Sequence, residues 1–183
     1  MSPNYSIEGK ILTPISPFKF KYLMESGEFV RVPEHKALLA VLYYFGIRIS
    51  EALSLTKQSF TIEENALYIN VNRLKHSRNT EALSVRLDRP YVKEILKTLK
   101  PLDPEDKVFS FSRVTGWRVV RKAIKRYPHY LRLNRITNLF MPTMEKPDGY
   151  SIGEVRNFTG LTLSSLDYYV GLVQLKEIGD ELK

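Results

Sequence analysis

Two side chains that could handle a phosphate group lie close together in the segment Tyr127–Phe140. His129 and Arg132 are three positions apart, a spacing that places both on one face of a helix. Pro128 favours a helix start here, because the first turn needs no N–H from that residue. A guanidinium binds phosphate oxygens and an imidazole transfers protons near neutral pH. The pair could therefore bind a phosphate and move a proton, although a solvated basic face has the same spacing.

A second arginine lies at the edge of a strongly apolar segment. Residues 37–45 are almost wholly apolar, which predicts a helix buried nearly all round. Arg48 lies two residues after Gly46, between two isoleucines, and Ser50 to Leu55 predict a second helix start that contains Glu51. A half-buried arginine must be paired or must bind an anion. The sequence allows both readings, with Glu51 as the expected local partner.

A basic segment lies between two predicted strands. Residues 59–88 show the alternation of strands, with a turn at 63–65, and predict three strands. The segment 72–80 between the second and third strands reads as a hairpin tip that could enter a nucleic-acid groove. An ordinary solvated loop would have the same composition. Its candidate contact residues are Arg73, Lys75, His76 and Arg78.

Two further helices are predicted by apolar spacing. In the helix at about 17–25 we expect Phe18, Tyr22 and Leu23 to form the apolar face. In the helix at 114–126, capped by Ser112, the apolar positions are Trp117, Val120 and Ile124. The remaining positions of this second helix form the densest basic stripe in the chain, suited to phosphate-backbone contacts or to a solvated face; they include Arg118, Arg121, Lys122 and Lys125.

Composition narrows the class of protein. The chain has 183 residues, a net charge of +8, no cysteine and three histidines. This length fits a single domain, 1–183, with an extended lead-in at 1–16 and an amphipathic tail at 172–183. The charge favours a polyanionic partner such as nucleic acid. Disulfides and thiolate metal sites are excluded, a zinc site is not expected, and no segment resembles a membrane span or a signal peptide.

The order of these features resembles the catalytic domain of the tyrosine recombinases, the phage-integrase family. The apolar helix is followed by Gly46-x-Arg48-x-x-Glu51, and Lys75 lies in a hairpin. His129-x-x-Arg132 then opens a helix, and a tyrosine pair follows near the C-terminus. The resemblance spans nearly the whole chain. It implies an α+β fold that is mainly α-helical, with a small three-stranded antiparallel sheet.

The resemblance also implies a role for each residue. Arg48 and Arg132 would bind the non-bridging oxygens of the scissile phosphate, and Tyr169 would attack the phosphorus to form a 3′-phosphotyrosine. Lys75 would protonate the 5′-oxygen leaving group, and His129 would assist proton transfer. The reaction needs neither a metal nor ATP, so no cofactor is expected.

The nucleophile and one neighbouring position require a choice. The family carries His or Trp nine residues before its nucleophile, and nine before Tyr169 is Gly160. We favour Tyr169 over Tyr168, whose position usually carries an apolar residue. Gly160 has no side chain to contact the phosphate, so that contact is missing or is supplied by Thr159, Thr162 or His76.

Three functions remain open. The first is a site-specific DNA recombinase or integrase, and the second is a catalytically impaired DNA-binding relative. The third is a type IB topoisomerase-like enzyme. For the recombinase we expect double-stranded DNA as partner, dimers or tetramers on DNA, and an intracellular, nucleoid-associated location. The N-terminal core-binding domain of the family is expected to be absent from this sequence.

Overall fold

The computed structural model describes residues 15–26, 32–71, 83–142 and 147–171. Within them the chain forms eight α-helices, one 3-10 turn and three strands. The helices are α1 (Pro17–Ser26), α2 (Pro33–Phe45), α3 (Ile49–Ser54), α4 (Val92–Leu99), α5 (Arg113–Ile124), α6 (His129–Phe140), α7 (Ile152–Thr159) and α8 (163–171). The strands are β1 (Phe60–Glu63), β2 (Ala66–Ile69) and β3 (Leu83–Arg86). This is the mainly helical α+β fold that the resemblance implies.

Helix α2 forms the centre of the core, as its composition predicts. Five consecutive residues from Leu38 to Leu42 are at most 1% exposed, and α2 packs against α4, α6, α3, α5 and β3. Pro33 starts the helix at a position where no N–H is required, and Gly46 ends it. A helix surrounded on all sides fixes the relative positions of its neighbours, which include both segments that carry the candidate arginines.

The small sheet has the order β1-β2-β3 and is antiparallel throughout. β1 and β2 form a hairpin in which Phe60 pairs with Ile69 and Glu63 with Ala66. The predicted hairpin between the second and third strands is also present, with Ala66 opposite Arg86 and Ile69 opposite Leu83. Its tip, with Arg73, Lys75, His76 and Arg78, lies outside the described residues.

Two predicted helix faces are wrong in detail. In α1, Phe18 and Tyr22 are 82% and 55% exposed, and the buried residues are Phe20 and Met24. The reason is aromatic packing, since the Phe20 ring stacks on Tyr43 with the centroids 3.9 Å apart. In α5 the buried face is formed by Gly116, Val119, Val120, Ala123 and Ile124, whereas Trp117 lies at its exposed margin.

Gly46 is difficult to replace by any other residue, because of its backbone conformation and its close neighbours. Its φ is +61° and its N–H donates to the Leu42 carbonyl. A Cβ at this position would lie 2.7 Å from Cβ of Arg135 and 2.8 Å from its Cγ. The residue therefore combines a left-handed turn with close packing of α6 against the end of α2.

We predict that Gly46→Ala destabilises the fold by about 2 kcal/mol or more, because the left-handed conformation alone costs roughly 1–2 kcal/mol for a residue with a Cβ. Gly153→Ala is the control, since a Cβ there meets only Ser151 Oγ, at 3.9 Å. We expect Gly153→Ala to leave the free energy of unfolding unchanged or slightly raised. Urea denaturation compares the two variants, and equal effects would contradict the prediction.

Candidate active site

Arg48 is positioned by the junction between α2 and α3. It is the N-cap residue of α3, with extended backbone at φ −71° and ψ 150°. Its N–H donates to Glu51 Oε2 at 2.6 Å, and its Nη1 donates to Glu51 Oε1 at 2.9 Å. The expected pairing with Glu51 is therefore present. The side chain of Arg48 is 52% exposed, while that of Glu51 is 9% exposed. The buried carboxylate of Glu51 therefore holds a guanidinium that remains accessible to solvent.

Glu51 both caps α3 and holds Arg48, and we predict that Glu51→Gln lowers the free energy of unfolding by about 1–3 kcal/mol. The amide has the same shape, but it loses the charge that opposes the guanidiniums and can accept only one of the two hydrogen bonds at its oxygen. Lys97→Gln is the control, because its pair with Glu94 has a lysine side chain that is 65% exposed and such pairs contribute little. A Glu51→Gln effect no larger than that of Lys97→Gln in urea denaturation would contradict the assigned role.

Arg132 lies in α6 and is buried, with 3% of its surface exposed. Its Nη1 donates to the Gly46 carbonyl at 2.8 Å, which joins α6 to the α2–α3 junction. Its Nε is buried and has no hydrogen-bond partner among the described residues. Burial lowers the pKa of Arg132, and the charge of Arg48 lowers it further, while Glu51 and Tyr169 act in the opposite direction. Arg48 and Arg132 are thus close enough for their charges to repel.

The two tyrosines of α8 differ sharply in environment. Tyr169 is 6% exposed and Tyr168 is 42% exposed. The phenol of Tyr169 raises the pKa of Arg132, so its oxygen lies close to the guanidinium. The structure therefore brings Tyr169 to the arginine site and leaves Tyr168 on the outer face of the helix.

His129 is the first residue of α6, one turn before Arg132. The residue as a whole is exposed, but the protein around its ring removes enough water to lower its pKa below the usual value. The charges of Arg132 and then Arg48 lower this pKa further. The structure thus places the imidazole within the electrostatic field of both arginines.

The lowered pKa of His129 predicts a pH dependence of stability. The unfolded chain takes up this proton at about pH 6.5, whereas the folded chain takes it up only at lower pH. Between these two values the unfolded state binds more protons, so stability falls as pH decreases. We expect the loss of unfolding free energy between about pH 7.5 and pH 5.5 to be smaller in His129→Gln than in the wild type. Identical pH profiles in urea denaturation would contradict this.

Gly160 has a backbone role that accounts for its presence. It ends α7 with a φ of +62°, and its N–H donates to the Arg156 carbonyl, a conformation that favours glycine. The two neighbouring threonines have local hydrogen bonds. Thr159 donates its hydroxyl to the Val155 carbonyl at 2.6 Å, whereas Thr162 Oγ1 lies 3.3 Å from the N–H of Ser165, which donates to it. The Thr159 proton is therefore already used, and the third alternative, His76, lies outside the described residues.

The predicted basic stripe lies on the solvent side of α5. Arg118, Arg121 and Lys122 are exposed, and so is Lys125, which ends the helix in a left-handed conformation. The guanidinium of Arg121 lies 5.0 Å from the centroid of the Trp117 ring. The buried side of α5 packs against α3, where Gly116 lies near Ile49, so this basic surface belongs to the helix that supports the Arg48 segment.

The assembled site combines three elements of the fold. The α2–α3 junction supplies Arg48, the start of α6 supplies His129 and Arg132, and α8 supplies Tyr169. Sequence reasoning missed one group, the Gly46 carbonyl that orients Arg132, because a backbone oxygen has no sequence signature. Two adjacent guanidiniums and a phenol form a site suited to an oxyanion next to a nucleophile. Among the residues that the structure describes, no cluster of histidines or carboxylates could hold a metal ion.

The fold is that of the tyrosine recombinase catalytic domain. Solved structures with this fold include XerH site-specific recombinase bound to difH substrate in a pre-cleavage complex, with a TM-score of 0.65 and 19% identity over 91% of this chain. A post-cleavage complex of XerH with palindromic difH substrate gives a TM-score of 0.66 and 20% identity over 96%. The crystal structure of XerA recombinase gives a TM-score of 0.61 and 18% identity over 93% of this chain.

The match covers most of this chain but a smaller share of each solved structure. This chain spans 52% and 55% of the two XerH chains and 64% of the XerA chain. A scan against protein-family models finds no match, and a search of curated protein sequences finds none either. Within the described ranges no helix has both the length and the apolar character needed to span a bilayer.

Proposed function

We propose that this chain is the catalytic domain of a site-specific DNA recombinase or integrase, which cleaves and rejoins DNA through a covalent 3′-phosphotyrosine intermediate. The observation that carries the proposal is that the buried Tyr169 lies at the site of Arg48 and Arg132, where its phenol raises the pKa of Arg132. A buried tyrosine beside two adjacent guanidiniums is the arrangement that a phosphate-binding site with a tyrosine nucleophile requires, which supports the proposal. The shared fold with XerH and XerA supports the proposal.

The proposed reaction balances without a metal or ATP. Arg48 and Arg132 bind the non-bridging oxygens of the scissile phosphate and stabilise the charge of the transition state. The Tyr169 oxygen forms a bond to phosphorus as the bond to the 5′-oxygen breaks, and Lys75 donates the proton that the leaving oxygen requires. His129, neutral at physiological pH because of its lowered pKa, can accept the phenolic proton. Attack by another 5′-hydroxyl then reverses these steps.

Double-stranded DNA is the proposed partner. The exposed basic residues of α5 would contact its phosphate backbone, and Arg73, His76 and Arg78 of the hairpin would contact the groove beside it. We further propose that subunits associate as dimers or tetramers on DNA, and that the protein acts inside the cell. Residues 1–183 are proposed to act as one catalytic domain.

One observation favours a second function, a DNA-binding relative with impaired turnover. Gly160 provides no side chain at the position where the family has His or Trp, and the Thr159 hydroxyl donates to a backbone carbonyl instead. In this reading the arginines bind the DNA phosphate while cleavage is slow. Covalent trapping distinguishes the two functions, because binding alone leaves no covalent bond.

The test uses duplexes that carry a nick close to the cleavage position. Cleavage releases a short fragment, rejoining is prevented, and the protein remains attached to DNA under denaturing electrophoresis. Because the target sequence is not established, a library of nicked duplexes is used, and adducts are recovered after denaturation and sequenced. We expect an adduct without added metal or ATP. Binding of the same library without any adduct would favour the impaired relative.

A further inference from the structure

The turn at Gly46 connects the two candidate arginines. Its carbonyl oxygen accepts a hydrogen bond from Nη1 of Arg132 at 2.8 Å, and Arg48 follows two residues later as the N-cap residue of α3. The turn is left-handed, with φ at 61° and ψ at 24°. A rotation of this turn would therefore move both the acceptor for one guanidinium and the backbone that carries the other.

The side chain of Arg135 lies against this turn from α6. A Cβ added to Gly46 would stand 2.7 Å from Cβ of Arg135 and 2.8 Å from its Cγ, and 3.8 Å from the carbonyl oxygen of Arg132. The first two side-chain carbons of Arg135 therefore fill the space directly beside the Cα of Gly46. Because protein interiors are close-packed, these carbons limit the movement of the turn.

The charged end of Arg135 has surroundings of its own. Burial lowers the pKa of Arg135, whereas the phenols of Tyr150 and Tyr43 raise it. The charge of Arg89 lowers this pKa further. The groups that shift the pKa of Arg132 are others, all in the candidate active site. The aliphatic part of Arg135 thus contacts the turn that serves the site, while its guanidinium lies among groups outside it.

Helix α6 is held at a neighbouring position by a separate contact. Oδ1 of Asn134 accepts a hydrogen bond from the N–H of Ile15 at 2.7 Å, and both residues are buried. This contact does not involve the α2–α3 junction. Shortening the Arg135 side chain should therefore leave α6 in place and loosen the turn at Gly46, because the turn loses packing that the helix does not need.

We propose that Arg135 is a positioning residue for the two candidate arginines and that it acts through its aliphatic carbons, not through its charge. Its Cβ and Cγ hold the Gly46 turn so that the carbonyl faces Nη1 of Arg132 and Arg48 enters α3 in the required place. The inference rests on the proposed function, since it concerns the rate at which that site cleaves DNA. An arginine one turn after Arg132 would otherwise be assigned to phosphate binding.

Arg135→Met and Arg135→Ala form the matched pair of variants. Both remove the charge, but Met keeps the first two side-chain carbons and Ala keeps only Cβ. Alanine has the higher helix propensity, so a loss in Arg135→Ala does not come from a weaker α6. In single-turnover kinetics at saturating nicked duplex, we expect Arg135→Met to form adduct at the wild-type rate. Arg135→Ala should be at least about tenfold slower, because a displacement of about 1 Å can cost about a hundredfold.

Hydrogen exchange at the Arg132 side chain tests the positioning role on the free protein. Nε of Arg132 is buried, so its proton should exchange slowly with solvent in the wild type and in Arg135→Met. Faster exchange is expected in Arg135→Ala. The signal is observed by NMR with isotopically labelled arginine and is assigned by its absence from Arg132→Lys. Because this measurement needs no cleavage, a wild type that forms no adduct would count against the proposed function, and the exchange rates would still decide the role of Arg135.

Three results would overturn the role of Arg135. An equal loss of adduct rate in the two variants would assign the effect to the charge. A wild-type adduct rate together with slow exchange in Arg135→Ala would show that the carbons beyond Cβ are not needed. A fall in DNA affinity that accounts for the fall in rate, measured by mobility shift, would make Arg135 a DNA contact. If Arg135→Ala does not fold, Arg135→Met still decides, because an adduct rate or an exchange rate unlike that of the wild type contradicts the proposal.

Discussion

Tyr169→Phe should abolish covalent attachment to DNA, with a fall of at least about 10⁴-fold in the rate of adduct formation, as expected when a nucleophile is removed. The ring remains, so the packing of α8 is kept, and only the phenolic oxygen that interacts with Arg132 is lost. Binding to DNA should change little, because the hydroxyl carries no charge in the ground state. Denaturing electrophoresis with the nicked duplexes measures the adduct, and a mobility-shift assay measures binding.

Tyr168→Phe is the matched control for this prediction. The two residues are neighbours in sequence and lose the same atom, but Tyr168 is 42% exposed and Tyr169 is 6% exposed. We expect Tyr168→Phe to form adduct at the wild-type rate. An adduct that persists in Tyr169→Phe and disappears in Tyr168→Phe would assign the nucleophile to Tyr168 and require α8 to turn on its axis when DNA binds.

The loss of the hydroxyl also has an effect on the free protein. Arg132 is buried, and the interaction with Tyr169 partly offsets the lowering of its pKa by burial and by Arg48. Removing that oxygen takes a favourable interaction away from a buried guanidinium, which costs about 1–3 kcal/mol. The unfolding free energy of Tyr169→Phe should fall by that amount, so adduct formation must be compared at a temperature where both variants are folded.

The sequence predicts those parts of the fold that depend on local signals. The apolar run of α2, the alternation in the strands and the serine cap of α5 each depend on side chains a few positions apart. The pairing of Arg48 with Glu51 was predictable for the same reason, since the two residues are three positions apart. These features required no knowledge of which elements meet in space.

Features that depend on tertiary contacts could not be obtained in this way. Phe20 is buried in place of Phe18 because its ring stacks on Tyr43, a residue of another helix. The hydrogen bond from Arg132 to the Gly46 carbonyl joins residues 86 positions apart. In the sequence Arg135 is simply one more basic residue on a helix, whereas in the fold its first side-chain carbons pack where a Cβ of Gly46 would stand. A resemblance to known proteins supplied the order of the site residues, but not these contacts.

Arg48→Gln should reduce the rate of adduct formation by about 10²–10³-fold, the usual effect of removing one donor that stabilises a developing oxyanion. Its effect on folding should be small. The Arg48 side chain is 52% exposed, the glutamine amide can still donate to Glu51, and the backbone hydrogen bond that caps α3 is unaffected. Removing one of two repelling charges also relieves the lowering of the Arg132 pKa, which offsets part of the lost ion pair. Single-turnover kinetics at saturating DNA measures the rate, and urea denaturation measures the stability.

Arg118→Gln distinguishes this catalytic effect from weaker DNA binding. Arg118 is an exposed residue of the basic face of α5, and its loss should weaken binding and reduce the slope of log K against log salt by roughly 0.9 for one phosphate contact. Its single-turnover rate at saturating DNA should equal that of the wild type. The two substitutions would then have distinct effects, because Arg48 stabilises the transition state and Arg118 contributes to DNA binding. If Arg48→Gln instead loses affinity in proportion to rate, the guanidinium binds the ground-state phosphate and transition-state stabilisation falls to Arg132 alone.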